Sequence, residues 1–326
     1  MYKPLSKEAL ASFFTEQFET WEQAANNYKA LEGVRTKELI VNGFPFKVQF
    51  NPARIVSSAA KVDAKSINER KCFLCEENRP AVQTGLSYNF TGDFGNVMAS
   101  YTVLINPFPI FPKHLTIPVN EHIPQLISGR VVSMINLARE IEGYTLFYNG
   151  PKCGASAPDH FHFQAGNRGF LPIESELPKI GREIIAKSLN TNIYALNEKL
   201  NGVIVIESES VDRARDAFEG ICALLPVNEG EGEPMLNVLC WYENGIWTIV
   251  VFLRKRHRPS HFFAEGDKNI LLSPASVDMG GVLITPLEKD FEKIDSVQIA
   301  EIFDEVLFSF EETMEIAEKL KKNLKV

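Results

Sequence analysis

Apolar and polar positions along the chain alternate between helical and strand-like spacing. Residues 5–31 carry Leu10, Phe13, Phe14, Phe18 and Trp21 at helical intervals, which predicts a helix with one buried face. Residues 36–56 read as two strands around Asn42-Gly43, a pair that tolerates the left-handed backbone of a tight hairpin turn. A β-rich stretch runs to about 119, with prolines that suit edges and turns. A helix over 123–142, with Leu126, Val131, Ile135 and Ile141 as its apolar positions, leads into a strand at 144–150. After about 172 the pattern partly restarts. A helical stretch near 180–199 precedes a strand at 202–208 and an amphipathic segment at 211–225. A hairpin over 236–253 then turns on Asn244-Gly245, and a helix over 296–322 places Ile302, Val306 and Phe310 on one face.

The two halves rhyme. "NPFPIFPKHLTIPVNEH" followed by a helix (106–142) runs alongside "SPASVDMGGVLITPLEKD" followed by a helix (273–322). This suggests an internal duplication and an α+β fold divided into residues 1–172 and 173–326. Each half is expected to hold an antiparallel sheet with packed helices.

The chemistry-bearing residues fall in the first half. In "PDHFHFQAG" (158–166), His160, His162 and Gln164 would share one face of a strand while Phe161 and Phe163 pack behind. Such a face is either a hydrogen-bonded polar patch in a core or a reaction site. Cys72 and Cys75 in "KCFLCEENRP" have the spacing at which one turn delivers two thiolates to one ion. Zinc completes a tetrahedron with imidazoles, for which His114 and His160 are candidates and His122 a substitute for His114. The bland alternatives are two small buried thiols or a redox pair. With His160 on a metal, His162 is free to act as a neutral imidazole nucleophile toward phosphorus. The preceding loop "NGPKCGAS" (149–156) can turn backbone N–H groups and the Ser156 hydroxyl toward phosphate oxygens.

Composition narrows the class. With 326 residues, 45% hydrophobic and 23% charged, the chain reads as globular. A net charge of −8 argues against a general nucleic-acid binder, and the sequence has no apolar run long enough to span a bilayer and no signal-peptide pattern. Five cysteines make no disulfide framework, so the cytoplasm is the expected compartment. The basic stretch "FLRKRHRPSHFF" (252–263) is either a solvated strand end or a phosphate clamp, and "EGEGEP" (229–234) reads as a solvated loop.

"GASAPDHFHFQAG", "NPFPIFPKHLTIP" and the "CFLC" pair together resemble the transferase branch of the histidine-triad superfamily. That branch includes galactose-1-phosphate uridylyltransferase, GDP-L-galactose phosphorylase and dinucleoside tetraphosphate phosphorylase. The resemblance covers about 70–170 and implies a histidine-triad-like fold in both halves. It implies His162 as the nucleotidylated residue, Gln164 as a phosphate contact, and a structural zinc on Cys72, Cys75, His114 and His160. Asn149, Gly154, Ala155 and Ser156 would then meet phosphate, and Asn51 and Arg54 in "VQFNPARIVSSAAK" (48–61) would frame the nucleotide. Phenylalanines fill both gaps of the His-x-His-x-Gln pattern, nearer the plant phosphorylase form than the uridylyltransferase His-Pro-His-Gly-Gln, and Asp159 is an added residue. A glutamine at 164, where hydrolytic members have histidine, cannot relay a proton near neutrality and favours transfer over hydrolysis. The implied activity is nucleotidyl transfer or phosphorolysis of a nucleotide sugar or dinucleoside polyphosphate. Phosphate or a sugar 1-phosphate would be the acceptor, and a homodimer is compatible with this reading.

Overall fold

The structure, a computed structural model, describes residues 5–55, 63–91, 97–197 and 199–323. The 56–61 end of the expected nucleotide-framing segment lies outside these residues. Two helices, α1 (Lys7–Thr20) and α2 (Glu22–Leu31), open the chain. The hairpin β1 (Arg35–Val41) and β2 (Phe44–Phe50) follows, with Asn42 and Gly43 both at positive φ. The first half continues with β3 (Leu86–Thr91), β4 (Val97–Ile105), β5 (His114–Pro118), α3 (Val131–Glu140), β6 (Tyr144–Asn149) and β7 (His162–Asn167). The second half repeats this order with β8 (Arg182–Ser188), β9 (Thr191–Leu196), β10 (Val203–Ser208), α4 (Val211–Leu224), β11 (Leu236–Glu243) and β12 (Ile246–Leu253). β13 (Val282–Thr285), α5 (Ser296–Val306) and α6 (Phe310–Asn323) complete it.

Ten strands form one sheet in the order β3-β4-β5-β7-β6-β11-β12-β10-β9-β8. Each half contributes three strands, a helix and two strands whose spatial order is swapped, so a pseudo-two-fold axis runs through the β6–β11 seam. At that seam Phe147 pairs with Leu239 and Tyr148 with Val238. A two-fold there keeps each side chain on its own face, so it exchanges Phe147 with Leu239 and carries Gln164, the β7 partner of Phe147, onto Val250, the β12 partner of Leu239. By the same register His162 falls on Thr248. The duplication is real in the fold, but its alignment differs from the sequence expectation. β5 with α3 corresponds to β10 with α4, whereas β13 leaves the large sheet and pairs in parallel with β2 in a three-stranded sheet.

Two apolar layers sandwich the large sheet. On one face Phe161, Phe163, Leu115, Ile117, Val238 and Val251 meet side chains of α1, α3, α4 and α6. On the other, Phe111, Phe147, Leu239, Val250 and Phe252 pack on residues of β2, β13 and α5. The side chains of His162 and Gln164 point to this second face because Phe161 and Phe163 take the first. Aromatic packing fixes the alternation: Phe161 and Phe163 meet edge to face at 4.9 Å, and Tyr101 stacks on Phe163 at 6.0 Å.

Four element expectations change. The helix expected over 123–142 spans only Val131–Glu140, leaving Leu126 outside it. Residues 180–199 form the hairpin β8–β9 rather than a helix. Pairing of β9 with β10 buries Ile193, Tyr194, Ala195 and Leu196, and that tertiary gain overrides helix propensity. The first helix breaks at Trp21, whose backbone leaves helical geometry as the side chain buries. The last helix breaks after Val306, where Leu307 bridges to Arg254 and Ser309 Oγ accepts from Glu312 N at 3.1 Å.

β6 is buried along its whole length. Cutting the chain near residue 175 would turn it into an apolar edge strand with unpaired backbone. The isolated first half is expected to aggregate on expression and to become soluble when residues 176–326 are co-expressed, as sedimentation of the lysate would show.

Candidate active site and metal centre

His162 opens β7 beside the end of β6. The register that pairs Phe147 with Gln164 would next pair Asn149 with His162, but the side chain of Gln125 stands between them. Its Nε2 donates to Asn149 O at 3.1 Å and to His162 O at 3.0 Å, and its Oε1 accepts from His162 N at 2.7 Å. One buried carboxamide thus replaces ladder bonds and holds both strands while they part. Tyr148 Oη anchors the Gln125 carbonyl at 3.0 Å, and Glu233 takes Ile127 N at 2.7 Å. Glu233 comes from the stretch expected to be a solvated loop; it is only 5% exposed, and burial pushes its carboxyl up to about 7.

The loop opened by this wedge is the expected phosphate loop. Among the described residues, the backbone N–H groups of Gly154, Ala155 and Ser156 have no protein acceptor. Gly154 sits at φ +94, and a Cβ there would lie 2.5 Å from Ala275 Cβ, so the close approach of the two halves requires glycine. Asn149 Oδ1 accepts from Ser276 N, Ser276 Oγ and Asn237 Nδ2 at 2.8, 2.7 and 2.9 Å. Its carbonyl end is therefore saturated, and its amide end is the one turned outward. Asn237 also holds Cys153 O at 2.7 Å and accepts from Arg254 at 2.5 Å.

That arrangement revises the basic stretch. Arg254 is buried and spends its guanidinium on Asn237, Pro274 O, Arg256 O, His257 O and Val306 O. Arg256 and Lys255 pair with Glu305 and Glu312. Arg254 braces the 149–156 loop through Asn237, and its guanidinium is spent on protein acceptors rather than turned to a ligand.

The imidazole of His162 is 4% exposed, and its Nδ1 lies 2.8 Å from His160 O, so Nδ1 carries the proton. Nε2 is left with its lone pair and no protein partner among the described residues. Burial pulls the ring down to about 4, so it is neutral at physiological pH.

His160, Cys72, Cys75 and His122 form one cluster, their ligand atoms all within 4.8 Å of each other. His160 Nδ1 lies 3.3 Å from Cys72 Sγ, 3.5 Å from Cys75 Sγ and 3.3 Å from His122 Nδ1, and Cys75 Sγ lies 3.2 Å from His122 Nδ1. Tetrahedral zinc, with bonds of about 2.0–2.3 Å, separates such ligands by roughly 3.3–3.8 Å, so the donor set fits that ion. His160 Nε2–H donates to Val119 O at 2.8 Å, which fixes the tautomer that presents Nδ1 to a metal. Cys75 N bonds Cys72 O, and Arg79 grips Leu74 O, shaping the thiol turn. Asp159 now has a place: it pairs with Arg70 at 2.5 Å, fastening the cysteine segment to the histidine strand.

The fourth member is His122, and the sequence choice of His114 is corrected. β5 aims His114 into the second face, where it is fully buried. Ile110 N donates to its Nδ1 at 3.2 Å, and its Nε2 lies 3.1 Å from Gln164 Oε1. Phe111 closes over it at 5.4 Å, across Gly166, where a Cβ would strike the Phe111 ring at 2.2 Å. Arg54 lies near this pair; its Nη1 donates to Phe108 O at 2.8 Å while its Nε is buried without a partner among the described residues. Asn51 spends Nδ2 on Gln49 and Pro109 O. Gln125, Ser276, Asn237 and His122 complete the site. The first three had no local signature, because each acts on a segment at least 24 residues away.

Two measurements check this geometry. The protein is expected to hold one zinc per chain by elemental analysis, to lose it in Cys72→Ser and His122→Ala, and to keep it in His114→Leu. Burial, with Arg54 nearby, also pulls His114 down to about 3. The unfolded chain, with an ordinary value near ~6.5, takes up a proton that the folded chain refuses. Stability is therefore lost as pH falls from about 6.5 toward 3. In denaturant titrations the stability of wild type relative to His114→Leu should decline over that range, by up to about 1.4 kcal/mol per pH unit.

Comparison with known proteins agrees with this architecture. Residues 13–167 match a domain of unknown function, DUF4922, and residues 176–326 match the GDPGP1-like, C-terminal domain family. No curated protein matches the sequence. Crystal structures of yeast Ap4A phosphorylase Apa2 share the fold. The complex with Ap4A superposes with a TM-score of 0.57 at 14% identity, covering 95% of this chain and 99% of that one. The complex with AMP gives 0.55 at 17% identity over 90% and 97%, and the structure without either ligand named gives 0.53 at 17% over 88% and 94%. The second half of the chain thus matches the GDPGP1-like, C-terminal domain family, and the whole chain has the two-half fold seen in yeast Ap4A phosphorylase Apa2.

Proposed function

We propose that the protein is a nucleotidyltransferase of the phosphorylase type, acting on a dinucleoside polyphosphate or nucleotide sugar through a nucleotidyl-His162 intermediate. One observation carries the reading: Nδ1–H of His162 is committed to the His160 carbonyl, so a neutral ring keeps the Nε2 lone pair at the strand end that opens into a loop whose amides have no protein acceptor among the described residues. Nε2 attacks the α-phosphorus; a P–N bond forms and the P–O bond to the leaving phosphate breaks. The positive charge that develops on the imidazole lies against the His160 carbonyl oxygen, which accepts the Nδ1 proton's hydrogen bond throughout. N–H groups of residues 154–156 and the amides of Asn149 and Gln164 face the charge on the phosphoryl oxygens. An oxygen of inorganic phosphate then attacks phosphorus, the P–N bond breaks, and neutral His162 is restored.

A zinc ion on Cys72, Cys75, His122 and His160 would supply structural cross-linking only, with its four protein ligands leaving no open position. Its link to the chemistry is the His160 backbone, whose carbonyl sets the tautomer of His162. Likeness to an enzyme crystallised with Ap4A and with AMP supports the nucleotide class, and Gln164 in place of a third histidine supports transfer over hydrolysis.

Intact-mass spectrometry after incubation with diadenosine polyphosphates and with UDP-, GDP- and ADP-sugars should show one added nucleotidyl group, absent in His162→Ala. Turnover should require added phosphate. An adduct in His162→Ala, or turnover at full rate in water alone, would overturn the assignment.

A further inference from the structure

We infer that His114 is a positioning residue that locks the side-chain amide of Gln164 in one orientation, N–H toward the substrate. The inference rests on the nucleotidyl-transfer reading for its consequence and on the hydrogen-bond pattern for its geometry. A carboxamide can face a ligand with either its oxygen or its nitrogen, and the two faces have opposite polarity. Facing a phosphoryl oxygen with its own oxygen, Gln164 would repel the group it is meant to hold. The choice is made one shell back. Ile110 N–H points at His114 Nδ1 at 3.2 Å, so Nδ1 must be the acceptor and Nε2 must carry the proton. Nε2–H then donates to Gln164 Oε1 at 3.1 Å. With the oxygen committed, the NH2 group is the end left for a ligand.

The relay is protected on every side. His114 is 0% exposed; Phe111 and Phe147 pack on its ring at 5.4 and 5.8 Å. Its own backbone is held by Tyr28 Oη, which donates to His114 O at 2.9 Å and lies 3.2 Å from His114 N. Burial beside Arg54 keeps the ring neutral, and a neutral ring is the only form that both accepts from Ile110 and donates to Gln164. The ring reaches none of the four metal-cluster atoms, so its role is separate from zinc.

A double-mutant cycle on the rate of nucleotidyl-His162 formation tests the relay. His114→Leu should slow that step by about 100-fold, the low end of what losing one oriented donor costs, while changing KM less than kcat. In a Gln164→Ala background the same substitution should change the rate by less than about twofold, because its target is already gone. His114→Gln, which carries both an acceptor for Ile110 and a donor for Gln164, should recover most of the rate. Independent multiplicative losses in the cycle, or His114→Gln as slow as His114→Leu, would overturn the inference. The geometry has its own readout, which needs neither an adduct nor a variant that folds. In 15N-resolved spectra at neutral pH the wild-type His114 ring should be the Nε2–H tautomer, and an Nδ1–H ring would overturn the inference even if the function stands.

Discussion

Everything at the site depends on the place where β6 and β7 stop pairing. Two antiparallel strands in register would continue to hydrogen-bond through Asn149 and His162, and a tight turn would close them. The Gln125 amide takes those bonds instead. A backbone group buried without a partner costs about as much as the hydrogen bond it lacks, so the strands can separate here only because a side chain satisfies them. The separation makes room for residues 150–161, and that segment contains the free loop amides and the first histidine of the motif. The second half shows what happens without such a wedge: β11 and β12 stay paired to Glu243–Ile246 and turn on Asn244-Gly245.

The two motif histidines divide their work by which ring nitrogen is occupied. His160 gives Nε2–H to Val119 and turns Nδ1 to the cysteines; His162 gives Nδ1–H to the His160 carbonyl and keeps Nε2 free. Backbone carbonyls make both choices, so the division survives any change of ligand. The metal cluster, the Arg70–Asp159 pair and Gln125 then fix the strand that carries both rings from three directions.

Much of this was legible in the sequence, for identifiable reasons. Alternation in "HFHFQAG" is a local property, so the shared face of His162 and Gln164 followed from strand geometry alone, and Asn42-Gly43 and Asn244-Gly245 marked their hairpins. Which histidine joins the cysteines was not local. His114 and His122 lie eight residues apart, and only the direction of β5 and the turn after Pro118 decides between them. The basic run over 254–258 misled because charge says nothing about burial: Arg254 is charged and lies almost wholly inside. The hairpin at 182–196 misled because helix-forming residues there were recruited by a neighbouring strand. Gln125 had no sequence signal at all, since a single glutamine before a helix looks like any polar turn residue.

The pseudo-two-fold axis places Thr248 and Val250 where the other half has His162 and Gln164. A duplicated fold offers two equivalent floors, and here one carries neither imidazole nor carboxamide. What the second half contributes to the site narrows to a few side chains that reach across: Ser276 and Asn237 on Asn149, Arg254 behind Asn237, Ala275 against Gly154, and Glu233 on Ile127 and Tyr148. The second half is therefore a mould for the loop of the first. At these points a change of one methyl or one hydroxyl acts directly on the loop at 150–156 and the strand ends that hold it.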